Sequence, residues 1–204
     1  MPIDSLIRND ELNGAGPDLG VFLVIPPAPG TLIGQPAPIG RTIIRFLDQP
    51  TITESRAARY ATETILHTPE GFNSYEGTDQ RSFEIAGNFF CRNDKDIATN
   101  NSVLQVFRSL VMPDYNRTGA PPTPIELHAY GAKNIHALPC LVASYNMTYP
   151  NDVDYVVSDL LETKITMPIM FTITVSLIEQ HSIAQLRKFN LQDFRSGKMV
   201  GQGF

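Results

Sequence analysis

Thr166–Leu177, TMPIMFTITVSL, is the stretch whose reading decides the fold. Met167, Ile169, Phe171, Ile173, Val175 and Leu177 occupy alternate positions, with Pro168, Met170, Thr172, Thr174, Ser176 and Ile178 between them. Side chains of a strand alternate between its faces, so this pattern predicts a long strand with one apolar face and one mostly hydroxyl face. Its β-branched residues suit a pleated surface, and the apolar positions do not gather at helical spacing. Burying each large apolar side chain is worth roughly 1.5–3 kcal/mol, so the greasy face must pack against a core. The hydroxyl face must then meet water or another subunit.

Working outward from it, the C-terminal side holds a short helix over 182–189 and a tail over 189–204, FNLQDFRSGKMVGQGF. On the N-terminal side, Asp154–Lys164 fits either a strand or a loop. Leu138–Tyr149 and Pro124–Tyr130 read as strands joined by a hairpin over 131–136. Ile97–Met112 is the best helix: Val103, Leu104, Phe107, Leu110 and Val111 form one stripe, Asp96 or Thr99 can cap it, and Pro113 stops it. Such a helix should lie across a sheet face. Arg81–Phe90 alternates again, with Gly87 as a candidate bulge. Residues 67–78 carry turn formers and read as a loop. Residues 53–66 fit a helix, with a hairpin as the alternative. Arg41–Leu47 reads as a strand.

Residues 14–40 are dense in Gly and Pro, which excludes a helix and a central strand along most of their length. The apolar run Val21–Ile25 inside them predicts an extended arm with one short strand rather than a flexible linker. The expected organisation is an arm over 1–40, a β domain over 41–188 and an assembly tail over 189–204. The class is α+β, mainly β.

The chain has 204 residues, enough for one sizeable core. Only 18% are charged and the net charge is −5, which argues against a protein that wraps nucleic acid by neutralising phosphates. The basic residues form no stripe with interleaved aromatics. The first residues lack the pattern of a signal peptide, and no apolar run of about 18 residues exists to span a membrane. Cys91 and Cys140 are therefore expected as free thiols in a reducing compartment.

No chemistry stands out. His136 and Cys140 lie four apart on extended chain, too far for a nucleophile–base pair, and no serine sits in a nucleophile elbow. Asn151-Asp152-Val153-Asp154 lacks the spacing and glycine of a calcium loop, and reads as turn capping. Zinc motifs and phosphate-binding glycine loops are absent. The expectation is no catalytic, cofactor or metal site. What remains is an aromatic tail (Phe189, Phe194 and Phe204, beside Arg195) too rich in Gly and Ser to form a core alone. Such anchors either fold back over the sheet or dock on another chain, which suits subunits of a symmetric assembly.

Several segments together resemble a known family. They are RSFEIAGNFFCRND (81–94), RSLVMPDY (108–115), TGAPPTPIELHAYG (118–131), LPCLVASYNMTYPNDVDYV (138–156), MPIMFTITVSL (167–177) and the terminal 189–204 segment. In this order they look like the tail-tube initiator (baseplate tube-cap) proteins of contractile-tailed bacteriophages, over residues 80–204. The resemblance implies a tail-tube-like β-sandwich or half-barrel with a flanking helix. It implies six copies closing a ring on the baseplate hub and spike, starting the tube and helping to start the sheath, within a virion assembled in the bacterial cytoplasm. DNA would pass through the lumen without specific binding. Thr172, Thr174 and Ser176 would then face the lumen, and Phe189, Phe194, Arg195 and Phe204 would make assembly contacts. An acidic balance would repel DNA phosphates. Alternatives are another tail component (tube protein, tail terminator or hub adaptor), or a carbohydrate-binding β-sandwich using Tyr145, Tyr149 and Tyr155.

Overall fold

The computed structural model describes residues 20–25, 42–46, 48–64, 66–67, 69–113, 121–131, 134–158 and 164–199. The deciding stretch folds as two strands, β10 (Ile165–Pro168) and β11 (Met170–Glu179), broken at Ile169. Pro168 has no N–H to donate, which ends the first ladder. The Ile169 backbone turns to other partners: its N–H donates to the Asp154 carbonyl at 2.9 Å, and its carbonyl accepts from Cys91 N at 2.8 Å. Ile169 consequently leaves the apolar face on which period two placed it, and is 37% exposed. Beyond it the alternation holds: Phe171, Ile173, Val175 and Leu177 are buried, while Thr172, Thr174, Ser176 and Ile178 are half-buried.

β11 is interior to a seven-stranded sheet of order β2-β1-β7-β8-β11-β6-β3, all pairs antiparallel. The others are β1 (Val21–Ile25), β2 (Thr42–Phe46), β3 (Thr51–Ser55), β6 (Ser82–Phe90), β7 (Ile125–Ala129) and β8 (Ile135–Thr148). The short strand expected in the arm is β1. It lies between β2 and β7 with Val21, Leu23 and Val24 buried, so a boundary at residue 40 runs through the sheet. β2 at one edge curls across to touch β6 near the other, making a half-barrel.

That closure explains Gly87. The register between β6 and β11 runs unbroken through it, so there is no bulge. Instead the Phe46 ring of β2 lies on the glycine: a Cβ there would stand 2.4 Å from Phe46 Cδ1. Phe46, Phe89 and Phe171 then follow one another at ring separations of 5.6 Å.

The helix α1 (Asp94–Leu110) buries Ile97, Val103, Leu104, Phe107 and Leu110 in the same core, and Phe107 stacks on Tyr145 of β8 at 6.3 Å. Its cap is Asn93, whose side chain accepts from Asp96 N, so the helix starts three residues before the expected Ile97. A hydrophobic stripe marks only the buried turns, and the polar first turn is invisible to it.

The described residues of 53–66 are not helical. They finish β3 and form β4 (Ala58–Glu63), which pairs with β5 (Phe72–Thr78) where a loop was expected. Pairing across the hairpin, not periodicity, makes these strands: both are largely exposed on either face. β9 (Tyr155–Ser158) pairs with β10. The C-terminal segment folds into α2 (Ile183–Leu186), with a Ser182–Gln185 capping box, and α3 (Leu191–Arg195), capped by Asn190.

Candidate assembly surfaces

The outward face of the central strands is a polar wall. Thr172, Thr174 and Ser176 of β11 sit directly beside Asn88, Ala86 and Glu84 of β6. On the other side they pair with Thr148, Asn146 and Ser144 of β8. β3 extends the wall with Thr51, Thr53 and Ser55, opposite Ala86, Glu84 and Ser82. The hydroxyls bond along the surface: Thr172 Oγ1 donates to Asn88 Oδ1 at 2.9 Å, and Ser55 and Ser82 Oγ atoms lie 2.8 Å apart. Within these paired positions Glu84 is the one charged side chain, and it is exposed. The three predicted lumen residues are thus brought together on one face, in a broader patch than β11 alone implied.

Of the predicted assembly residues, Phe189, Phe194 and Arg195 lie at the end of the sheet where β11 finishes. Phe189 and Phe194 are exposed, with rings 5.6 Å apart at 49°, and Arg195 beside them is exposed. Phe204 lies outside the described residues. Leu186, Phe189 and Phe194 wall a cavity of about 130 Å³ whose other lining residues are Arg56, Arg81, Glu179 and His181.

The polar part of that cavity escaped sequence reasoning. Glu179 is buried at 3% exposure because it occupies the next inward position after Leu177. A buried carboxylate requires partners. Arg81 supplies a fork: Nε donates to Oε2 at 3.2 Å and Nη2 to Oε1 at 2.7 Å. Arg81 Nη1 also donates to Glu54 at 3.3 Å, and His181 Nε2 lies 2.8 Å from Glu179 Oε1. Burial works against the arginine charge, but the bonds and fields of Glu179, then Glu54, outweigh it, and its pKa is raised. The available signal was a carboxylate falling in phase with a buried strand face. The cluster joins β3, β6 and β11 to the start of the C-terminal segment.

The remaining candidates are dispersed. Cys140 is buried and its thiol is pushed up to about 12, first by burial and then by Glu179, so it holds its proton. Burial likewise raises the Cys91 thiol, although an Asn100 hydrogen bond opposes this. His136 neighbours His128 at 4.9 Å. Tyr145 is committed to the core through Phe107, leaving Tyr149 and Tyr155 exposed, so the three do not form one stacking platform. Among the described residues no group of three His, Cys, Asp or Glu could hold a metal. Among them also, no helix is long and apolar enough to cross a membrane.

No family model matches the chain, and no curated protein matches it. Among solved structures it is similar to a chain from the tail of an empty GTA particle, computed with helical refinement in C6 symmetry. The identity is 13% and the TM-score 0.36, over 83% of this chain and 96% of the other.

Proposed function

We propose that this chain is a structural subunit of a phage-type contractile tail. In this reading six copies form a ring on the baseplate hub, start the tube and sheath, and line the DNA channel within the virion. The observation that carries the reading is the polar wall. Hydroxyls and amides, with Ala86 and Glu84 among them, line the middle of the outward face of β3, β6, β11 and β8 between Met170 and Ile178, directly behind a continuous core. A surface of this kind stays wet, binds no base edge strongly and offers no cation to a phosphate. Six copies of Glu84 would add a ring of negative charge, which repels DNA rather than holding it. The segments that resemble tube initiators support the same reading and are the source of the copy number. No catalytic role is proposed.

Electron microscopy of the purified protein tests it. An initiator gives single closed rings that nucleate tubes only when tube protein is added. Long tubes from this chain alone would make it a tube protein instead. A particle containing one copy of the chain would overturn both.

A further inference from the structure

The two ends of the central sheet carry exposed apolar patches of opposite charge. At the end where β11 finishes, Ile183, Leu186, Phe189, Leu191 and Phe194 are all exposed on α2, α3 and their link. Four basic residues against one acidic residue accompany them over 181–199, in a chain whose net charge is −5. At the end where β11 begins, the turn after β8 and the start of β9 expose Tyr149, Tyr155 and Val157. Asp152 and Asp154 are the only charges over 149–158. The registers fix these ends as opposite: Thr148 pairs with Thr172, whereas Cys140 pairs with Glu179. Ten residues of β11 separate them, or about 30 Å of strand.

We infer that the cavity walled by Leu186, Phe189 and Phe194 receives the 149–155 turn of a second copy, with Tyr149 as the anchor. At about 130 Å³ the cavity has room for one large side chain. A drug-sized ligand needs roughly 300 Å³ or more. Tyr149 is half exposed, and a tyrosine set in a pocket is a common hot spot. The arginine–glutamate cluster at the floor is already neutralised, so the cations available to incoming carboxylates are those next in sequence to the cavity walls, Lys188 beside Phe189 and Arg195 beside Phe194, both exposed. Where each pair of copies makes this contact once, it is heterologous. It then joins copies head to tail, closing a ring if the rotation per copy permits. The inference rests on the proposed function only in requiring that the chain self-associate.

The test is a charge swap, followed by sedimentation velocity at low salt with circular dichroism as the folding control. One variant carries Lys188→Glu and Arg195→Glu, a second Asp152→Lys and Asp154→Lys, and a third carries all four changes. Each of the first two should lose the higher assemblies, with association at least about tenfold weaker, equivalent to roughly 1.4 kcal/mol. Mixed, they should regain the assemblies as alternating copies, because every junction is then either native or fully reversed. The fourfold variant should regain the assemblies. Tyr149→Ala should weaken association without altering its salt dependence. Folded variants that assemble like the parent, or a fourfold variant that stays dissociated, overturn the contact. Rings that survive reversal of either end leave the tail-subunit reading standing and remove this one, whereas a parent protein that never self-associates removes both.

Discussion

The two faces of β11 share one backbone and answer to different demands. Inward, Phe171, Ile173, Val175 and Leu177 are each at most 1% exposed and meet side chains from β6, β8 and α1. Outward, Thr172, Thr174 and Ser176 are half-buried and sit beside Asn88, Ala86 and Glu84 on one side and Thr148, Asn146 and Ser144 on the other. Shape therefore constrains the first set and chemistry the second. A core position is bounded by packing on every side, so a methylene gained or lost is felt. A wall position can change size at little cost but cannot gain a cation without changing what the surface attracts. The fold sits on one face and the proposed function on the other.

The largest expected effect comes from breaking the inward face. Phe171→Ala removes a ring stacked on Phe89 at 5.6 Å and leaves a cavity beside Ile173. The cost should be about 3–5 kcal/mol, read as a fall in the denaturant midpoint at constant slope. A loss below 1 kcal/mol would mean that this face is not the core. Overpacking the same face should cost less. Gly87→Ala puts a methyl against the buried Phe46 ring and should cost about 1–3 kcal/mol. Shrinking the ring with Phe46→Leu should recover part of that loss in the double variant; simple additivity would show that the two positions do not touch.

The dryness of the inward side has its own signature in pH. Cys140, opposite Glu179 in the register, keeps its proton up to about 12 in the folded chain, against a reference of 9.0 when exposed. Between those values the folded state binds the proton and the unfolded state releases it, so stability must fall as pH rises through this window. By pH 10 the difference from this one group is about 1 kcal/mol. Cys140→Ala should flatten that limb of the stability profile relative to the parent. An identical slope in the two proteins would place the thiol in water.

How far the sequence carried follows the same division. Period two found β11 and β6 because each has one wet and one dry face, and the 3.6 stripe of α1 was legible for the same reason. β4 and β5 have no dry face, so their pairing left no periodic trace and Phe72–Thr78 read as a loop. β1 was visible as an apolar run, but the surrounding Gly and Pro hid that its partners lie beyond residue 41, in β2 and β7. The role of Gly87 was illegible for a different reason: what it accommodates is Phe46, 41 positions away, which comes near only when the sheet curls. Glu179 stood in plain sight at an inward position. Its partner Arg81 lies 98 residues earlier, and only the pairing of β6 with β11 brings them together.

The smallest expected effect lies on the outward face, where the contrast is sharpest. Thr174 is half-buried between Ala86 and Asn146, and Val has nearly its shape. Thr174→Val should change stability by no more than about 0.5 kcal/mol, since surface substitutions away from caps and ion pairs rarely do more. Thr172→Val removes the bond to Asn88 Oδ1 and should cost somewhat more, about 0.5–1.5 kcal/mol for an intramolecular hydrogen bond. Comparing the two in one chemical denaturation series isolates that bond from the change of side-chain polarity. If Thr174→Val instead costs as much as Phe171→Ala, the outward hydroxyls belong to a buried interface within the chain. The wall would then not be open to a channel.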